Sequence, residues 1–393
     1  MTGPVPLSIL DLAPVPSGGS PAEALRNTID LARHAERFGY RRYWVAEHHF
    51  APGVASSNPP VLIALIAAAT SRIRVGSGAV QIGQQTSIAV VEQFGLIDAL
   101  HPGRIDLGIG RSGQRRAELL SGKPGGQPDG HGAPAAPAAA PAPRQARVVD
   151  GLLIPAPFDY TALGKHPHLV LQAELLQQPG AQPPDFDIQV DEIVRFLRGT
   201  FTLPDGTPVH AVPGEGADVE LWILGSSGGQ SARVAGARGL PFAANYHVAP
   251  SNVLDAVTAY REAFRPSDVL AEPYVIVSAD VLVAEDTETA RELAKPYGPW
   301  VRDIRTGLGA QPYLTPEQAD ALEWTEQDAE LVADRVDTRF VGAPDEVAER
   351  LDTLRRVTGA DELLVTTFAH AHADRVRSYE LLAKAWGLSG SPE

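Results

Sequence analysis

The sequence predicts an α/β fold, a single (β/α)8 TIM barrel, and three observations carry that prediction. Strand-type segments alternate with helix-type segments eight times, each strand leads into a helix so that the strands must run parallel, and polar or glycine residues gather just after the strands. One stretch breaks the rhythm after strand four, at residues 121–147. The expected organisation is therefore one domain over residues 1–393, interrupted by a low-complexity insertion.

Taken in order, Leu7-Ser8-Ile9-Leu10-Asp11-Leu12 reads as the first strand. Ser20-Pro21-Ala22-Glu23 has capping-box spacing with proline at the first helical position, so a helix opens at Pro21, carries Leu25, Ile29 and Ala32 on one face, and stops at Gly39. Tyr43-Trp44-Val45 has the aromatic and β-branched bias of a buried second strand. Pro60 to Ala69 is a helix, Ile73 to Val80 a third strand, Thr86 to Leu100 a helix broken by His101-Pro102-Gly103, and Arg104 to Gly110 the fourth strand.

The stretch SGKPGGQPDGHGAPAAPAAAPAPRQAR at 121–147 offers almost nothing to bury, and it is expected to be disordered. Regular structure resumes with a helix from Asp187 to Leu197. Strand five is Glu220 to Gly225, followed by a helix from Ser226 to Arg238; strand six is Pro241 to Tyr246, followed by a helix from Ser251 to Phe264. Tyr274 to Val283 is strand seven, and the helix from Asp286 runs into a long polar segment at 307–328, a candidate lid. A helix from Pro344 to the stop signal Gly359, strand eight at Leu363 to Thr367, and a last helix with Tyr379, Leu382, Ala383 and Trp386 buried complete the eight repeats.

Composition narrows the function. Of 393 residues 44% are apolar and 21% charged, enough for a sizeable core, while 48 acids against 33 Lys and Arg give a net charge of −15 that repels nucleic-acid phosphates and anionic lipid. No nucleic acid or membrane partner is expected. The absence of cysteine excludes disulfides, thiolate metal sites, iron–sulfur ligation and a cysteine nucleophile. With no basic leader, and with the apolar run Val61 to Ala69 far short of the about 20 residues that span a bilayer, the chain is expected in the cytoplasm.

The residues just after the strands are Asp11, Glu47 to His49, Ser77 to Gly78, Arg111, Ser226 to Ser227, Asn245 to His247 and Thr366 to His372. Glu47-His48-His49 fits either a working site or a solvated strand end. Neighbours in an extended strand point to opposite faces, so one imidazole at most faces the site, and the pair would not share a metal ion; no metal centre is expected. Gly225-Ser226-Ser227, between a strand and a helix, supplies N–H groups and hydroxyls suited to a phosphate, to which Arg111 could add a bidentate charge. Plain helix-capping serines and a surface-paired arginine fit the same residues. Gly76-Ser77-Gly78-Ala79 within a strand signals either a bulge or a flat ligand lying against the backbone.

Four segments together resemble the bacterial luciferase-like flavin monooxygenases: Tyr43-Trp44-Val45-Ala46-Glu47-His48-His49-Phe50, Val75-Gly76-Ser77-Gly78-Ala79, Gly103-Arg104-Ile105-Asp106-Leu107-Gly108-Ile109-Gly110-Arg111, and Leu224-Gly225-Ser226-Ser227 with Gly239-Leu240-Pro241. The likeness runs from Leu7 to about Trp386 outside the insertion. It implies a barrel that takes FMN, delivered reduced by a separate flavin reductase, and uses molecular oxygen to oxidise a small organic substrate. His48 then corresponds to the active-site histidine, with Glu47 beside it in the catalytic group; Gly78 and Ala79 stand where relatives carry a non-prolyl cis peptide under the flavin ring; and Arg111, Gly225, Ser226 and Ser227 form the phosphate site. A homodimer is also implied. Light emission is not. Gly228-Gly229-Gln230 is one residue longer than the resemblance leads one to expect, which leaves the role of Ser231 open. The alternatives are a deazaflavin-dependent hydride-transfer enzyme of the same superfamily and a flavin-binding protein without catalysis.

Overall fold

The structure of the chain, a computed structural model, describes residues 5–111, 145–159, 174–178, 180–181 and 184–390. Its strands are β1 (Leu7–Asp11), β2 (Arg42–Val45), β3 (Arg74–Ser77), β4 (Val80–Gln81), β5 (Ile105–Gly110) and β6 (Arg147–Val149). They continue with β7 (Leu152–Ile154), β8 (Glu220–Gly225), β9 (Phe242–Asn245), β10 (Val275–Val283), β11 (Phe340–Gly342) and β12 (Glu362–Thr366). Parallel pairing runs through β1, β2, β3, β5, β8, β9, β10 and β12 and returns to β1, so the sheet closes into an eight-stranded barrel with helices around it. Closure removes every edge from the ring, and the residues of β1, β5 and β10 are buried without exception, the polar Ser8, Asp11, Asp106, Ser278 and Asp280 among them.

Helix boundaries follow local chemistry. The Ser20 hydroxyl accepts from the Glu23 N–H to open Pro21–Phe38, and Gly39 closes it at φ 87°, a conformation that costs glycine little. The next helix begins at Pro59, one residue before the expected Pro60, because Asn58 supplies the cap. The helix expected from Ser226 begins instead at Gln230. Gly228 presses on the following helix, where an added Cβ would meet the Asp255 carbonyl at 3.0 Å, so the chain after β8 makes a tight loop before it can coil.

The excursions differ more from expectation. Residues 121–144 of the expected insertion lie outside the described residues, whereas Arg147, placed at its end, opens the antiparallel β6–β7 hairpin. The region between β10 and β12 carries helices Tyr297–Arg305, Pro316–Asp320 and Glu326–Val336, and β11 pairs with β10 outside the ring. Thr315 and Thr325 each form a capping box there, a local signal that the polar composition obscured. Within the segment expected as a lid, Ala310 accepts from Gly53 N at 2.8 Å and Tyr313 exchanges backbone bonds with Val15 and Ser17, which pins that part to the loops after β1 and β2.

The barrel interior is filled by Leu10, Trp44, Trp222, Ile276 and Leu364, with the two indoles edge to face at 5.2 Å. Below them, at the strand starts, lies a buried ion cluster. Arg42 Nη1 donates to Asp106 (2.9 Å) and Glu220 (2.7 Å), and Nε donates to Glu362 (3.2 Å); Arg74 pairs with Asp106 and Glu220, and Trp44 Nε1 donates to Asp106. Burial alone would lower the Arg42 pKa, but Asp106, Glu362 and Glu220 overcome it and raise it, so the guanidinium stays charged. Arg42→Met leaves Asp106 and Glu220 with Arg74 and Glu362 with only the more distant Arg41, at 3.6 Å. It should destabilise the fold by about 3–5 kcal/mol, the usual cost of stranding buried charge. Urea unfolding checks this, and a change below about 1 kcal/mol would show that the cluster does not hold the floor.

Candidate active site

β2 ends at Val45, and the chain then leaves the sheet through Ala46-Glu47-His48-His49. Glu47 is buried and its carboxylate is doubly engaged: His49 Nε2 donates to Oε1 at 2.8 Å and the Gln81 N–H donates to Oε2 at 2.9 Å. Gln81 also donates its side-chain amide to the Glu47 carbonyl. Glu47 thereby ties the end of β2 to β4. His49 turns to Glu47, and His48, whose N–H donates to Ser56 O at 2.9 Å, lies within electrostatic reach of His247 beyond β9. The division between the two imidazoles arises in a loop and not from strand pleat, since the extended segment is shorter than Tyr43 to Phe50.

Beside β2 the third strand breaks into β3 and β4 around Gly78–Ala79, a cis peptide. Packing accounts for the glycines. A Cβ on Gly76 would meet Asp106 at 2.5 Å and Trp44 at 2.9 Å, and one on Gly108 would meet the Ser77 carbonyl at 2.0 Å. Ser77 Oγ fixes this approach by donating to Gly108 O (2.8 Å) and accepting from Gly108 N (3.0 Å). Gly78 packs towards Leu10 and Trp44, so neither glycine needs a ligand to explain it.

Gly78 and Ala79 also line a cavity of about 190 Å³ at the C-terminal strand ends, together with Arg111, Gly225, Ser226 and Ser227. Gln230, Ser231 and Asn245 add to its polar lining, and no carboxylate lines it among the described residues. Gly229 is the N-cap of the helix Gln230–Ala237 and no side chain caps it, so Ser226 and Ser227 are not capping serines; they face the cavity from the loop. The helix end points its first N–H groups to the same side. Ser231, whose role the sequence left open, lies in the lining as the second residue of that helix.

Other strand-end residues go elsewhere. Asp11 accepts from Arg375 and Thr28 at 2.8 and 2.7 Å and from Tyr43, knotting β1 and β2 to the first and last helices. Burial pushes its pKa up, but Arg375 and the two hydroxyls prevail and hold it below the ordinary value. His370 bonds the Ser17 carbonyl and His372 bonds Asp30, both outside the mouth. Among the described residues no group of three or more His, Asp or Glu is arranged to hold a metal ion.

The sequence matches the luciferase-like monooxygenase family over residues 5–136 and 180–362. The chain belongs to that family. It is 37% identical over 380 residues to the Bacillus subtilis (strain 168) protein YvbT, covering 97% of this chain and 96% of that one. It is 32% identical to a luciferase-like monooxygenase of Escherichia coli (strain K12), with 96% of each covered. The crystal structure of apo-MsnO8 superposes with a TM-score of 0.76 at 30% identity, covering 98% of this chain and 99% of that chain.

Two larger clefts lie away from the strand-end cavity of this family member. One of about 480 Å³ opens at the barrel floor beside Arg42, and one of about 830 Å³ lies among the helices between β10 and β12. Size does not favour them, because their charges pair with one another, as Arg198 does with Asp268 and Lys295 with Asp320, both at 2.6 Å. Among the described cavities, the small one combines a guanidinium, hydroxyls and a helix start.

His48, just beyond the end of β2, is open to solvent yet has protein packed closely around its ring. Crowding, helped by the charge of His49, pushes its pKa down to about 4. Burial, with Arg335 and His48 helping and Asp280 opposing, takes His247 down to about 4 as well. Both rings are therefore neutral at pH 7. Because the unfolded chain protonates near 6.5 and the folded one near 4, folding stability from these rings is complete above about pH 6.5 and is lost as pH falls towards 4. Imidazole resonances followed by NMR should titrate with midpoints near 4 for His48 and His247; midpoints above 6 would contradict the crowding described here.

Proposed function

We propose that this luciferase-like monooxygenase is an FMN-dependent enzyme that receives reduced FMN from a separate cytoplasmic flavin reductase and uses O2 to oxidise a small organic substrate. The observation that carries the proposal is the convergence of Arg111, Ser226, Ser227 and Ser231 on one cavity at the strand ends, with a neutral imidazole at the end of the neighbouring β2. The cradle fits a phosphate dianion in charge and in donor type: Arg111 offers a planar fork, the serines offer hydroxyls, and the start of the helix offers N–H groups. Gly225 keeps the cradle open, since a Cβ there would crowd Ser231 and Phe242 at 3.0 Å. Gly78 and Ala79 supply backbone surface next to it.

Bound in its reduced form, FMN would supply two electrons, so that one oxygen atom of O2 enters the substrate and the other leaves as water. The chain's own residues bind, orient and handle protons. His48, uncharged at working pH, can hold a hydrogen bond and pass a proton at a ring nitrogen. Glu47, with both carboxylate oxygens occupied, acts in this reading by holding Gln81 and His49, and so the backbone on either side of the mouth.

Paired substitutions test the proposal. Arg111→Ala should weaken FMN about tenfold to a hundredfold in fluorescence titration, the loss of a charge-assisted contact worth about 1.5–3 kcal/mol. His48→Ala should leave FMN affinity within a few fold and lower turnover at least ~100-fold, while His49→Ala retains far more activity. An unchanged FMN constant in Arg111→Ala would displace the phosphate site. Tight deazaflavin binding with oxygen-independent hydride transfer would replace the monooxygenase by the reductase alternative, and flavin binding without any turnover would leave a binding protein.

A further inference from the structure

The cleft of about 830 Å³ among the helices between β10 and β12 pairs most of its charges, but not all. Lys295 is held by Asp320 at 2.6 Å, and Glu346 accepts from the Thr287 hydroxyl at 2.8 Å with Arg350 3.7 Å away. Arg339, the residue before β11, stands outside these pairs. It is 5% exposed, and among the described residues its Nε and Nη2 have no hydrogen-bond partner. Asp280 does not serve it, because that carboxylate accepts from the Tyr297 hydroxyl and faces Arg335 at 3.6 Å. A buried donor left without an acceptor is unfavourable, and a guanidinium keeps its charge in a protein.

The guanidinium is fixed on two sides. Its Cζ lies 3.9 Å over the Tyr297 ring and Nη1 donates to the Ala294 carbonyl at 3.4 Å, and all three residues belong to the lining of the cleft. The remaining donors, Nε–H and Nη2–H, lie side by side on one edge of the planar group, the fork that two oxygens of a carboxylate match. Charge selects the same kind of partner. With Lys295–Asp320 and Arg350–Glu346 paired, the lining keeps Arg339 and Arg291 against Asp337, one positive charge in excess, which suits a monoanion better than a phosphate dianion. Beside this edge the cleft turns apolar through Pro299, Leu322, Val336 and Val341. Trp324 packs on Gly298, the neighbour of Tyr297, where an added Cβ would meet the indole at 3.2 Å. Arg302 sits over that indole at 5.5 Å, yet 43% of the residue remains open, a flat surface for a ring.

We propose that this cleft is a second ligand site, distinct from the flavin cavity, which takes an aromatic carboxylate with its two oxygens on the Nε and Nη2 edge of Arg339 and its ring against Trp324. The assignment does not depend on the chemistry at the strand ends. A site built this way discriminates against the neutral amide of the same ring, which brings no charge and only one acceptor oxygen to the fork.

The test uses the full chain, with benzoate as the probe, benzamide as its neutral counterpart and inorganic phosphate as a second anion. In calorimetric titrations benzoate should bind at least about tenfold more tightly than benzamide, the lower range for a charge-assisted contact, and more tightly than phosphate. Arg339→Lys keeps the charge without the fork and should reduce that preference to about threefold or less. A second readout needs no change at the buried arginine. Of the five tryptophans Trp324 is the exposed one, so benzoate should quench the protein fluorescence, and Trp324→Phe should abolish the quenching. Arg111→Ala should bind benzoate as the wild-type protein does, which separates this cleft from the flavin cavity. Equal affinity for benzoate and benzamide, tighter binding of phosphate, a preference that survives in Arg339→Lys, quenching that persists in Trp324→Phe, or loss of benzoate in Arg111→Ala would each overturn the assignment.

Discussion

One guanidinium at the barrel floor ties together strands that are distant in sequence. Arg42, the first residue of β2, bonds Asp106 of β5, Glu220 of β8 and Glu362 of β12, so half of the ring is fastened through a single side chain that is itself 2% exposed. Bringing these charges out of water is unfavourable, and only the complete set of partners offsets it. Such a cluster has one satisfactory arrangement. It therefore fixes how the strand starts meet, and the strand ends, less than ten residues further on, inherit that alignment.

The second constraint is the close approach of β3 to β5. Gly76 and Gly108 let the two backbones come nearer than any side chain would permit, and Ser77 bonds both polar groups of Gly108. Above this contact the third strand parts, and β4 is caught again by Glu47. Gly78, Ala79 and Arg111 reach one cavity as a result, opposite the loop that brings Ser226 and Ser227. Packing energy below thus determines which groups converge above.

How far this was legible in the sequence depends on whether the cause was local. The alternation of strands and helices is written in periodicity and caps, and strand-end position alone brought Arg111 and Ser226-Ser227 together before any coordinates. The helix start at Gln230 was missed because Gly228 is required by contact with Asp255, a residue of the next helix. Arg42, Asp106 and Glu362 look like ordinary solvated strand ends until closure of the ring makes them neighbours. Closure also sets His247 opposite His48; the sequence marked it only as one more polar residue after a strand. Glu47 stands just after β2, where the strand pattern put it, but its two partners, Gln81 and His49, could not be read from spacing.

The most direct test of the account is a crystal structure of the protein with FMN bound. The phosphate oxygens should lie at hydrogen-bonding distance, about 3 Å, from the Arg111 guanidinium and the hydroxyls of Ser226 and Ser227, with the flavin ring on the side of Gly78 and Ala79. A phosphate seated instead in the floor cleft beside Arg41 and Arg198, or among Arg291 and Lys295 in the cleft between β10 and β12, would contradict the site assigned here.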